Sequence, residues 1–276
     1  MVGDVVGDPG LDVLERLLPA LIKENSADFV MVNGENAAGG FGLTLNALER
    51  LLAAGADVVS SGNHVWEKRE FWSTLNMEKR VLRPMNYPES VGHGWIYLEK
   101  SSSWGPINWI AINLQGREHM TPLDCPFKTF DGFEAYLNKE ETIEDELPEE
   151  LHIENPLILV DFHAESSREK EALAYYLDGR ACVVAGTHTH VQTADERVLP
   201  KGTAYITDLG MTGVTDGIIG MDRKICLDRA RNQVLYRMEV APAGEAGKTA
   251  VQGIIAEIDA ETRKAVSIKR FNASVV

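Results

Sequence analysis

Apolar positions along the chain follow two periods that alternate from segment to segment. Leu11, Leu14, Leu18 and Leu21 recur at helical spacing, and residues 28–33 then read as a buried strand. A second helix is predicted over 44–54 and a strand over 57–61. Further strands are predicted over 109–114, 157–162, 181–185 and 203–207, with a helix over 168–177. Alternation of this kind predicts a layered α/β fold. The C-terminal part differs: residues 250–258 and 264–271 are extended on either side of Asp259-Ala-Glu-Thr-Arg263, which predicts an antiparallel hairpin. Residues 241–249 have the composition of a loop. No internal repeat or long linker interrupts the pattern, so residues 1–276 are expected to form a single α/β domain, a β-sheet sandwich flanked by helices.

Composition narrows this picture. Hydrophobic residues are 44% and charged residues 25%, ordinary for a globular chain. No apolar run approaches the roughly 18–20 residues that span a bilayer, and residues 1–20 carry Asp4, Asp8, Asp12 and Glu15 instead of a basic leader. A cytoplasmic protein is expected, with Cys125, Cys182 and Cys226 as buried thiols in a reducing compartment. The net charge of −15 argues against non-specific binding of duplex nucleic acid, but not against a small anionic substrate at a site carrying its own cations. The acidic run at 140–146, continued at Glu149 and Glu150, reads as a solvated face.

Candidate chemistry collects where the strands end, the place at which open α/β sheets bind ligands. Gly3-Asp4 comes first, then Asn33-Gly34-Glu35-Asn36, Gly62-Asn63-His64, Asp161-Phe162-His163-Ala164-Glu165 and Gly186-Thr187-His188-Thr189-His190. Singly these have ordinary readings: Gly-Asp and Asn-Gly as turns, His163 as a satisfied core histidine, His64 as a cap or surface residue. His188 and His190 are harder to set aside, because two-residue spacing in extended chain puts both rings on one face, where neutral imidazoles sharing metal sites avoid repulsion. Four of the seven histidines fall in these motifs, while His93, His119 and His152 lie in apparent loops. Imidazole, carboxylate and amide donors without thiolate suit first-row divalent ions. The number of donors exceeds one tetrahedral site and fits two ions roughly 3.5–4 Å apart.

These motifs resemble those of the calcineurin-type metallophosphoesterases, and among them most closely the bacterial YmdB type. The likeness runs in order through Gly3-Asp-Val-Val-Gly7, Val32-Asn-Gly-Glu-Asn-Ala-Ala-Gly-Gly-Phe-Gly42, Gly62-Asn-His-Val-Trp66, Asp161-Phe-His-Ala-Glu165, Gly186-Thr-His-Thr-His190 and Thr207-Asp-Leu-Gly-Met-Thr-Gly213. The resemblance implies that Asp4, Glu35 and His190 hold one metal, that Asn63, His163 and His188 complete the other, and that Glu35 bridges. Asn36 is placed near the first metal or the phosphate. The implied ions are iron or manganese, and the implied substrates are small phosphodiesters, foremost 2′,3′- or 3′,5′-cyclic nucleotides; a homo-oligomer is left open. Only Met1 and Val2 precede Gly3, where related proteins begin with several apolar residues, so either the start is assigned late, the chain is trimmed or the first strand is abbreviated, and lost backbone pairing there would loosen Asp4.

A metal pair acidifies a shared water and offsets charge on the phosphoryl oxygens, so hydroxide attack on phosphorus is the expected reaction. His64 is the candidate general acid and phosphate contact. Asp161, Glu165 and Asp208 either orient ligand imidazoles or act as ordinary turn carboxylates. Loops 84–95 and 115–127 are the candidates for base recognition. Rival readings are a regulatory protein acting on an RNA-processing partner with residual hydrolysis, and a metal-dependent phosphomonoesterase. A nucleotide-binding domain ranks last, since Gly7-Asp-Pro-Gly10 matches neither glycine-rich phosphate loop.

Overall fold

The structure is a computed structural model that describes residues 1–102, 105–138, 153–243 and 248–275. The acidic run and His152 lie outside the described residues. The elements are, in order, β1 (Asp4–Val5), α1 (Gly7–Asn25), β2 (Met31–Asn33), α2 (Leu45–Ala53), β3 (Val58–Ser60), α3 (Trp72–Met77), β4 (Trp95–Ser102) and β5 (Gly105–Gln115). There follow α4 (Pro126–Leu137), β6 (Leu157–His163), α5 (Ser167–Tyr176), β7 (Val183–Thr187), β8 (Arg197–Val198), β9 (Ala204–Ile206), β10 (Met211–Val214), α6 (Arg223–Asn232), β11 (Thr249–Asp259) and β12 (Lys264–Val275).

Two sheets result. One has the order β4-β5-β6-β7-β9-β8, with β5, β6, β7 and β9 parallel. The other has the order β1-β10-β11-β12, and Val2 joins the parallel pair β2-β3 to it by bridging Val32 on one side and Gly253 on the other. Alternation along β6 shows how the layers stack. Ile158, Val160 and Phe162 face α4 and α5, packing with Phe130, Phe133, Leu173 and Ala174. Leu157 and Leu159 face the other sheet and pack with Ile254 and Ala265. On the far side Leu11, Leu14 and Leu18 of α1 and Leu48 and Leu51 of α2 cover Val5, Val32, Val59 and Val251. The molecule is therefore a mixed α/β sandwich with helices outside.

The inter-sheet face changes character along its length. It is apolar at Leu157 and Leu159 and polar at Asp161 and His163, two and four residues further along the same face of β6. Register places Asn113 beside Asp161, and Gln115, His163 and Thr187 side by side. All five are buried. One end of a hydrophobic sandwich is thus filled with hydrogen-bonding groups, which burial penalises unless each has a partner.

The expected strands and helices are present, mostly with ends shifted by one to three residues. Elements β4, β8, β10, α3, α4 and α6 are additional. The C-terminal hairpin runs longer than expected, from Thr249 to Val275, with a register shift between Glu257 and Ile258. The pairing whose loss would loosen Asp4 is kept. Although β1 is two residues long, the backbone N–H groups of Val2, Gly3, Asp4 and Val6 donate to Met31, Gln252, Gly210 and Thr212. The neighbouring strands β2, β10 and β11 supply the pairing that a longer segment would otherwise need, and Asp4 is fully buried. Among the described residues no helix is long and apolar enough to cross a membrane.

Candidate metal centre

Eight side chains singled out in the sequence converge at the polar end of the sandwich. Asp4 arrives on β1, Glu35 and Asn36 after β2, Asn63 and His64 after β3, His163 at the end of β6, and His188 and His190 after β7. His163 is the hub. Its Nε2 lies 3.1 Å from Glu35 Oε1, 3.0 Å from Asn63 Oδ1 and 3.0 Å from His188 Nδ1. Glu35, His163 and His188 form a cluster whose ligand atoms all lie within 4.8 Å of one another, close enough to hold a metal ion. On the other side of Glu35, Asn36 Nδ2 lies 3.3 Å from Glu35 Oε1 and 3.0 Å from His190 Nε2, and Asp4 Oδ1 lies 3.8 Å from the same His190 nitrogen.

Each imidazole has one nitrogen committed to an acceptor outside the cluster, which decides what the other presents. Thr187 Oγ1 donates to Asp161 Oδ1 at 2.7 Å, so it accepts from His163 Nδ1–H at 2.9 Å and leaves His163 Nε2 facing Glu35. The carbonyl of Ile219 accepts from His190 Nδ1–H at 2.9 Å, leaving Nε2 toward Asp4 and Asn36. Glu165 Oε2, 3.1 Å from His188 Nε2, accepts there and leaves Nδ1 toward His163. Three inward ring nitrogens, two carboxylates and an amide oxygen thus converge where a cation would satisfy them, the arrangement by which outer partners aim metal-ligating histidines. Asp4 Oδ1, buried and without a hydrogen-bond partner, is an acceptor in want of such a cation.

Electrostatics agree. Burial raises the Asp4 carboxyl to about 7, the neighbouring His190 and His163 only partly offsetting it. Burial would raise Glu35 as well, but the charge and hydrogen bond of His163, with His64 beside it, draw it down to about 2. His163 is itself pushed up to about 9: desolvation opposes protonation, and the charges of Glu35, Asp4 and Asp161 overcome it. Burial and the adjacent His163 charge hold His188 down to about 3. In the metal-free protein a proton on His163 therefore stands between the carboxylates.

Asp161, Glu165 and Asp208 differ in what they do. Glu165 meets an imidazole directly. Asp161 acts through Thr187, and its buried charge, costly by several kcal/mol if uncompensated, receives bonds from Asn33, Ser60 and Thr187. Asp208 touches no imidazole; it binds the backbone N–H and hydroxyl of Thr189, between the two histidines, at 3.2 and 2.8 Å. Of its two expected readings, orienting a ring or serving as a turn carboxylate, its contacts are those of the second. Thr187, Asn33 and Ser60 carry no role in the sequence-based expectations, although each stands within or beside a strand-end motif; a hydroxyl or amide at an inward position of a buried strand is the signal that finds them.

Gly62 makes the convergence possible. A Cβ at that position would overlap the ring of His163 and Glu35 Oε2, so the Gly-Asn-His turn passes directly against the ligand cluster. His64, two residues further on, donates its backbone N–H to Glu35 Oε2 at 3.1 Å, and its ring lies edge-on to Phe41 with Nδ1 3.4 Å from Glu67. The two candidate base-recognition loops are stitched together nearby. Asn86 Nδ2 donates to the carbonyls of Gln115 and Asp124, and the Tyr87 hydroxyl donates to Gln115 Oε1.

This geometry has relatives. A curated 2′,3′-cyclic-nucleotide 2′-phosphodiesterase of Bacillus subtilis (strain 168) is 44% identical over 271 residues, covering 98% of this chain and 94% of that protein. A crystal structure of a protein described as hypothetical from Thermus thermophilus matches with TM-score 0.82 and 36% identity, covering 99% of this chain and 97% of that one. A second, of a protein described as a novel phosphatase from Mycoplasma pneumoniae, matches with TM-score 0.83 and 30% identity over 99% of this chain and 92% of that one. The family profile described as YmdB-like protein matches residues 1–271, and the chain belongs to that family.

Proposed function

We propose that this protein is a dinuclear metal-dependent phosphodiesterase that hydrolyses small phosphodiesters, with 2′,3′- or 3′,5′-cyclic nucleotides as its substrates. The observation that carries the reading is the commitment of three imidazoles, each by one nitrogen, so that the other faces a group of buried carboxylate and amide donors. Asp4, Glu35 and His190, with Asn36 beside them, hold one ion; Asn63, His163 and His188, sharing Glu35, hold the other. For Asn36 to ligate through its oxygen, the amide now presenting Nδ2 to His190 must turn over. The donor set of nitrogen and oxygen without thiolate suits iron or manganese. The name of the Bacillus subtilis relative supports the diester substrate.

When bound, the metal pair supplies Lewis acidity toward water and the phosphoryl oxygens. The protein does the rest. Glu35, held by the backbone N–H of His64 and by Asn36, contributes the negative charge shared between the two positions. His188 Nδ1 and His190 Nε2 face the metal positions because the acceptors at their other nitrogens fix the rings. His64, partly open to solvent beside the cluster, contacts the phosphate and donates the proton that the departing ribose oxygen needs. Hydrolysis of a 2′,3′-cyclic nucleoside monophosphate and of p-nitrophenyl phosphate, each measured before and after chelation and manganese restoration, tests the reading. Chelator-sensitive cleavage of the cyclic diester, well above that of the monoester, is expected. Preference for the monoester would overturn the substrate class.

A further inference from the structure

The His188-Thr189-His190 turn is held in an unfavourable conformation by a device outside the cluster. His188 and His190 both adopt positive φ, +99° and +63°, which side chains of this size avoid unless the surroundings enforce it. Beside Asp4 Oδ2, which accepts from the His188 backbone N–H at 3.2 Å, and the Ile219 carbonyl on the His190 ring, the group that grips the middle of the turn is the Asp208 carboxylate: Oδ2 accepts from the Thr189 backbone N–H and hydroxyl, and Oδ1 accepts from the backbone N–H of Gly210 at 2.8 Å. Asp208 is in turn met by Lys170 Nζ at 2.7 Å, and both side chains are only 1% exposed. The lysine comes from α5, on the outer face of the sheet. Its stem passes against Gly186, where a Cβ would lie 2.8 Å from Lys170 Cδ and would overlap the carbonyl oxygen of Thr207.

A buried ion pair is a poor device for stability, since desolvation of both charges consumes most of their attraction. Its geometric value here is specific. A carboxylate with a cation on one side can accept several donors from one turn without carrying an uncompensated buried charge. We propose that Lys170 is a positioning residue for the metal centre: through Asp208 it fixes the turn that aims His188 and His190, one toward each metal position. This rests on the metal reading above. It assigns a role to an α5 side chain that touches none of the ligands.

The test measures manganese affinity by calorimetry alongside thermal unfolding, for the full chain and for Lys170→Met, which keeps the stem and removes the charge. The expected result is a folded variant that binds Mn²⁺ about tenfold or more weakly, the scale on which outer partners tune metal sites. A variant that melts earlier but binds Mn²⁺ with unchanged affinity would show a merely structural lysine and overturn the proposal. Thr189→Val keeps the test open if Lys170→Met fails to fold, because it removes only the hydroxyl contact to Asp208 from a partly exposed residue. Its Mn²⁺ affinity should fall and Thr189→Ser should restore it; unchanged affinity in Thr189→Val overturns the proposal. An unsubstituted chain that binds no Mn²⁺ contradicts the metal reading itself, a result distinct from either variant's behaviour.

Discussion

At the scale of single residues, Glu35 and His64 separate charge from proton transfer. Glu35→Gln keeps size and removes the carboxylate shared by the two proposed ions. Turnover is expected to fall by about 10²–10³-fold or more, on the scale of losing one preorganised electrostatic contact, while the circular dichroism spectrum stays unchanged; wild-type turnover in that variant would contradict the shared position. His64→Ala should lower turnover by about 10²–10⁴-fold with metal content retained, read by elemental analysis beside the kinetics. Loss of metal along with activity would make His64 a ligand instead. All eight of these candidate residues were legible in the sequence because strand-end motifs combine unusual residue types with short spacing. Their supporting partners were less legible. Thr187 and Ser60 look like ordinary strand residues until register brings them to Asp161, and the carbonyl of Ile219 carries no side-chain signal at all.

At the scale of elements, the site depends on turns that end strands inside a packed sandwich. The strands of the parallel core were readable because both faces are apolar over Leu157–Val160 and Val183–Ala185, giving continuous hydrophobic runs. The edge strand β4 was not, since its exposed residues Glu99 and Ser101 interrupt the run and its place is set by antiparallel pairing to β5. Helix α6 was unreadable for a related reason: none of its residues is buried, so no apolar stripe marks it. The Gly-Asn-His turn after β3 makes a direct test. Gly62→Ala places a methyl group against His163 and Glu35, so the variant should fold yet retain markedly less metal than the parent after dialysis. Equal metal retention would mean that the cluster tolerates displacement and that its close packing is not required.

At the scale of the whole molecule, two sheets that meet through apolar side chains at one end exclude water from a polar centre at the other, and this couples metal binding to protons. His163, pushed up to about 9, and Asp4, raised to about 7, both carry protons at lower pH in the metal-free protein. Those protons must leave when the groups become ligands. Affinity for Mn²⁺ should therefore strengthen as pH rises from about 6 to about 9, with roughly one to two protons released near neutrality, measurable by calorimetry in buffers of different ionisation enthalpy. His188, held down to about 3, adds nothing to this dependence because it is already neutral. An affinity independent of pH would contradict the protonated cluster. Elemental analysis of the purified protein combined with hydrolysis of a 2′,3′-cyclic nucleotide under chelation tests the metal pair itself. About two first-row ions per chain and activity that chelation removes and manganese restores are expected; a protein that hydrolyses the diester while carrying no metal, untouched by chelator, would contradict the metal pair.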